Sequence, residues 1–130
     1  MITDEIQVAM QGVVPSAIVT ANKEGTPNCT YISQVYYVDS NHVAISHQFF
    51  NKSIRNIREN PFACVNIVSP DDFRMWKLNL KFTHSETDGD LFDQMSMQLE
   101  AIASMVGMSE VFKLKGAEIF EVLEIEKISS

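Results

Sequence analysis

Between Trp76 and Thr83 the chain alternates without a break. Trp76, Leu78, Leu80 and Phe82 are apolar, and Lys77, Asn79, Lys81 and Thr83 are polar. A strand sends successive side chains to opposite faces, so this run has one face for a core and one for water. No helix tolerates that period. The same β-compatible character recurs at Ala17 to Ala21, at Asn28 to Val38 (rich in Thr, Tyr, Ile and Val), at His42 to Ser46, at the nearly all-apolar Phe62 to Val68, and at Ala117 to Ile128. Turn clusters separate them: Asn22-Lys-Glu-Gly25, Asp39-Ser-Asn41 and Ser69-Pro-Asp-Asp72. Short links between successive strands favour antiparallel pairing.

Helical spacing is confined to three places. Ile2, Ile6, Ala9, Met10 and Val13 mark residues 3–12, ended by Gly12 and Pro15; Lys52 to Glu59 is a short helical pattern closed by Asn60-Pro61; Leu91, Met95, Leu99, Ile102 and Val106 mark residues 90–106, stopped by Gly107. A further short piece is expected at Phe112 to Leu114. In the last strand the apolar phase switches between Val122 and Leu123, which predicts a bulge or a change in the covered face. Strands outnumber helices and do not alternate with them regularly, which disfavours a doubly wound parallel sheet. The expected fold is mainly β: a small antiparallel barrel with peripheral helices, residues 1–130 forming one domain without repeats.

The segment from His47 to Pro61 carries the clearest functional signal. Asn51 or Ser53 can cap the helix that begins there, and Lys52 stands where the free N–H groups point outward. A helix start of this kind binds phosphate readily; taken alone, the segment reads first as a surface helix capped by Asn51 or Ser53 with Lys52 solvated. Glycines at 12, 25, 89, 107 and 116 build neither G-x-G-x-x-G nor G-x-x-x-x-G-K-[ST], so the usual phosphate loops are absent.

The formal net charge of −7 argues against non-specific nucleic-acid binding and against docking on an anionic membrane. The acidic start, Met1-Ile-Thr-Asp-Glu-Ile, has no signal-peptide core and no run reaches membrane-span length, so the cytosol is the expected compartment. Cys29 and Cys64 are expected to be buried free thiols. His42, His47 and His84 lack zinc spacing, so no metal site is expected. No G-x-S-x-G elbow or other catalytic set stands out, and the methionines at 95, 97, 105 and 108 read as helix packing.

What remains is the polar, β-branched strand Asn28 to Ser33 set beside Ser46 to Ser53. Backbone groups of barrel strands suit a flat heterocycle, and the helix start suits its phosphate. The run Pro15 to Asn28, the pattern Asn51-Lys-Ser-x-x-Asn56 followed by Glu59-Asn-Pro61, and the tail from Asp88-Gly-Asp through Ala101-Ile-Ala to Glu121-Val-Leu together resemble the pyridoxamine 5′-phosphate oxidase-like, FMN-binding split-barrel family. The resemblance implies an antiparallel split barrel, a homodimer with two shared FMN sites at its interface, and flavin chemistry on a small molecule. By position it implies that Lys52 and Ser53 contact the FMN phosphate, supported by Asn51 or Asn56. It implies that Tyr31, Ile32 and Ser33 line the cofactor, that Ser46, His47 and Gln48 meet its ring, and that Trp76 of the second copy covers it. Alternatives within the resemblance are a redox sensor or electron carrier, and a barrel that uses haem or a deazaflavin. Arginine is limited to positions 55, 58 and 74, which leaves no set for the substrate phosphate of a true pyridoxamine phosphate oxidase.

Overall fold

The structure is a computed structural model describing residues 1–32, 34–47, 52–105 and 114–128. Among these the chain forms α1 (Asp4–Met10), β1 (Ser16–Ala21), β2 (Pro27–Ile32), β3 (Tyr36–Asp39), β4 (His42–His47), α2 (Lys52–Glu59), β5 (Phe62–Val68), β6 (Met75–Glu86), α3 (Asp90–Met105) and β7 (Gly116–Lys127). The strands make one sheet in the order β2-β1-β5-β6-β7-β4-β3, every neighbouring pair antiparallel.

The strand extends past its clean alternating stretch to Glu86; β6 pairs with β5 from Met75 to Lys81 and with β7 from Trp76 to Glu86. Trp76, Leu78 and Leu80 are buried with Ile18, Val65, Ile67, Phe120 and Val122 in the main core. The phase switch in the last strand is a bulge. Asn79 pairs with Glu124 but Leu80 with Val122, so Leu123 is the extra residue and stands exposed. A second, smaller cluster forms where Tyr36, Ala44, Ala117 and Ile119 meet Met95 of α3.

The sequence expectation of one long strand from 28 to 38 is corrected. Its Thr, Tyr and Val content suits a strand throughout, but its two halves serve opposite ends of the sheet. β2 is the edge beside β1, and β3 is the far edge beside β4. Between them Val35 is buried and donates its backbone N–H to the Met10 carbonyl at 2.9 Å, tying the crossing to the end of α1. Tertiary packing overrides strand propensity here. The expected short piece at 112–114 falls largely outside the described residues.

Local chemistry explains the tight links. Thr3 caps α1, its hydroxyl accepting from the Ile6 N–H. In the β1–β2 turn the Asn22 side chain accepts from the backbone N–H groups of Glu24 (3.0 Å) and Thr26 (2.9 Å), and Gly25 takes φ +86°. Asp39 plays the same part before β4, accepting from Asn41 N–H at 2.8 Å. That bond and the adjacent His42 hold the Asp39 carboxyl below its usual range. No helix among the described residues is long and apolar enough to cross a membrane.

The cysteines depart from expectation. Cys29 is exposed and Cys64 is half-buried. Both stand opposite Val19, one from each flanking strand, on the outward face of the sheet. Partial burial pushes the Cys64 thiol up, which works against a reactive thiolate.

Candidate functional site

β2 ends the sheet on one side. On the other, β3 pairs with β4 only as far as the Tyr36–Ala44 pair. β2 and the end of β4 therefore lie on either side of an open seam, and a cavity of about 300 Å³ fills it. Its wall is built from Asn28 to Ile32 of β2, Ile45 and Ser46 of β4, Glu118 and Phe120 of β7, and Ile18 of β1; α2 closes one side with Lys52, Ser53, Ile54 and Ile57. An edge strand offers backbone N–H and C=O groups to whatever lies beside it. Among the described residues a second cavity, of about 360 Å³, lies between α1, β3 and α3, but no charged side chain lines it.

α2 is placed by its own sequence. Ile54 and Ile57 go into the core and Arg55 and Arg58 stay exposed, as helical spacing requires. Asn56 is buried and donates from Nδ2 to the Thr20 hydroxyl of β1 at 3.1 Å; Thr20 is buried as well. Asn28 Nδ2 donates to the Ser53 hydroxyl at 3.2 Å, joining β2 to the first turn of α2 at the cavity wall. Glu59 at the far end accepts from Lys23 N–H at 3.3 Å. Strand, turn and helix are thus locked together by side chains, and the start of α2 is held against the cavity.

Asn56→Ala should cost about 1–3 kcal/mol of stability, because it strands a buried threonine hydroxyl. Urea unfolding measures it. A loss well below that range would show that the Asn56–Thr20 bond does not anchor the helix.

The structure brings Tyr31, Ile32, Ser46, Lys52 and Ser53 together around one cavity. His47 ends β4, in register with Gly116 of β7. Ser33, Gln48 and Asn51 lie outside the described residues. Asn56 is not on the wall; it holds the helix that is. Trp76 also stands apart. It is buried in the core of its own chain, opposite Ile67 of β5, where the start of β6 leaves little of its ring for a second copy to use. Sequence reasoning missed Glu118 and Phe120. They come from the last strand, and only the pairing of β7 with β4 carries them to the seam.

The wall has an apolar floor of Ile18, Ile45, Ile57 and Phe120, with two charged side chains, Lys52 and Glu118. Lys52 is exposed, whereas Glu118 is 1% exposed. Such a cavity takes a flat, largely apolar group with an anion toward Lys52. Among the described residues no group of three His, Cys, Asp or Glu side chains is placed to hold a metal ion. His84 and His42 are engaged elsewhere, with Glu86 at 3.0 Å and Asp39 at 2.9 Å.

Comparison with known proteins places this geometry. A family model described as pyridoxamine 5′-phosphate oxidase matches residues 2–123. No curated protein matches the sequence. Among solved structures, an FMN-binding protein from Syntrophomonas wolfei subsp. wolfei superposes with a TM-score of 0.78 at 14% identity, covering 95% of this chain and 86% of that one. An F420 reductase gives 0.64 at 10% identity, covering 95% and 97%. HutZ, the haem storage protein from Vibrio cholerae, gives 0.63 at 15% identity, covering 97% and 94%. At such identities these structures share the fold, a split barrel.

Proposed function

The chain belongs to the pyridoxamine 5′-phosphate oxidase family, and from that premise we propose that it binds FMN in the seam cavity and works as a small flavin-dependent oxidoreductase. The observation that carries this reading is the start of α2, with Lys52 and Ser53 on the wall of a cavity whose floor is apolar. The residues suit the group. Lys52 supplies a positive charge, Ser53 a hydroxyl and α2 its N-terminal dipole for a phosphate. Ile18, Ile45 and Phe120 supply an apolar bed for the ring, and Ile32 and Ser46 flank it from the two edges of the seam.

FMN, when bound, supplies the electron transfer itself. The chain's part is to hold the phosphate, keep water from the apolar floor and fix which edge of the ring faces the protein. That division explains why no catalytic pair is visible in the sequence.

The reading includes a homodimer with shared sites. On the outward face of the sheet, Tyr31 is 76% exposed and Phe62 is 55% exposed. Tyr31 sits opposite Ala17, and Ala17 opposite Asn66, so the three strands β2, β1 and β5 present this face together, next to the cavity. Large exposed apolar side chains grouped on one face suit a second copy. Tyr31 would then join two roles, at the interface and at the rim of the site.

A haem reading has one observation in its favour: His47 ends β4, next in sequence to Ser46 of the cavity wall. The visible spectrum of the purified protein, taken before and after adding FMN and removing the excess, separates the two. Retained flavin absorbance, with a dimeric mass by light scattering, is the expected result. A sharp Soret band would replace FMN by haem. No retained chromophore would overturn the FMN reading.

A further inference from the structure

Glutamine stands at six positions in this chain, 7, 11, 34, 48, 94 and 98, and five of the six line the second cavity, of about 360 Å³. They reach it from three separate places. Gln7 and Gln11 come from α1 and its end, Gln34 from the crossing between β2 and β3, and Gln94 and Gln98 from α3. Within each helical pair the spacing is four, which sets both amides on one face, a turn apart. Gln34 Nε2 donates to Gln98 Oε1 at 3.4 Å and links the crossing to α3. The chain carries 17 acidic and 10 basic residues, yet among the described residues no charged side chain lines this cavity. Helix faces turned only to solvent in so charged a chain would carry Glu and Lys as readily as Gln. Beneath the amides the lining is apolar: Met10, Val35, Tyr36 and Met95 are buried. Burial pushes the Tyr36 phenol up, so it too stays neutral. The seam cavity and this one share no lining residue.

We propose that the cavity between α1, β3 and α3 is a second binding site, for an uncharged planar nitrogen heterocycle whose edge sets a hydrogen-bond donor beside an acceptor. A primary amide holds an acceptor oxygen and a donor nitrogen side by side. Its complement is a ligand edge of the same kind, as an aminopurine or a ring lactam presents, and Gln pairs with adenine through two such bonds. A ring with that edge has apolar faces, which suit the thioethers, the valine and the phenol beneath the amides. No cation stands on the lining to hold a phosphate, so the ligand class is a base or nucleoside rather than a nucleotide. This site does not depend on the FMN reading, because the two cavities are built from different residues.

The test titrates two nucleosides, adenosine and inosine, each beside a methylated counterpart that lacks the edge donor, N6,N6-dimethyladenosine and 1-methylinosine. Glucose serves as an uncharged polyol. Wild type, Gln7→Met, Gln94→Met and the double variant are compared, with binding read by calorimetry and folding by circular dichroism. Methionine keeps the length of glutamine and removes its amide. Wild type should bind at least one nucleoside and prefer it to its methylated counterpart by about fivefold or more, the low end of what one two-bond amide contact discriminates. Each single variant should narrow that preference, and the double variant should bind the pair within about twofold. Should the double variant fail to fold, the two single variants decide. Binding of neither nucleoside by wild type, equal binding of each nucleoside and its counterpart, or a full preference kept in the folded variants would overturn the proposal. Glucose bound more tightly than both nucleosides would also overturn it, and would mark a polyol site instead.

Discussion

Phe120→Ala should destabilise the protein by about 3–5 kcal/mol, the usual range for removing a buried aromatic ring from a core. The residue is 1% exposed and belongs to the main core. It pairs with Val43 on β4 and with Phe82 on β6, so it ties together the three strands that carry one side of the seam. Its ring meets that of Phe82 edge-on, centroids 5.6 Å apart and planes at 64°, an arrangement worth about 0.5–1.5 kcal/mol beyond area burial. Phe120 also forms part of the cavity floor, so the vacated volume adjoins the proposed ring site. The variant should therefore lose affinity for FMN as well as stability. Chemical denaturation with an unchanged m-value measures the first, and a flavin titration below the unfolding transition measures the second. A stability loss under about 1 kcal/mol would contradict the packing of β7 described above.

Lys52→Ala should weaken FMN binding by about 1.5–3 kcal/mol, the cost of losing one charge-assisted bond to phosphate. Lys52 is exposed, so solvent screening pulls the effect toward the lower end, and wild-type affinity should fall as salt rises. Riboflavin, which has no phosphate, gives the control. Wild type should prefer FMN to riboflavin, and Lys52→Ala should lose most of that preference while binding riboflavin about as well as wild type. Stability should hardly change, since the side chain is outside the core. Equal losses for both flavins would mean that Lys52 shapes the cavity rather than holding a phosphate.

The parts of the fold that were legible in the sequence are those where local pattern and tertiary demand agree. Trp76 to Phe82 alternates because β6 lies mid-sheet with one face in the core. The phase break at Leu123 was visible because a bulge moves every later side chain to the other face. α2 could be placed because Ile54 and Ile57 are flanked by charges that cannot be buried there. The split of the 28–38 run was not legible. Nothing in its β-branched composition says that β2 and β3 belong to opposite edges of the sheet; that follows from where Val35 finds its partner on α1. Cys29 was expected inside for a similar reason. Cysteine is commonly buried, but this one falls on the outward phase of an edge strand.

The candidate site divides along the same line. The half built from neighbouring segments, with Ile32, Ser46, Lys52 and Ser53, could be read from spacing and resemblance. The half contributed by β7 could not, because Glu118 and Phe120 are more than sixty positions beyond Ser53 and reach the cavity only through strand pairing. Asn56 was placed in the right helix, but its contact with Thr20 is a packing choice that spacing does not show.

A crystal structure of the protein grown with FMN tests the central claim most directly. The phosphate should lie at the start of α2 against Lys52 and Ser53, with the ring in the seam between β2 and the end of β4. A phosphate bound anywhere else, such as the glutamine-lined cavity between α1 and α3, would contradict it.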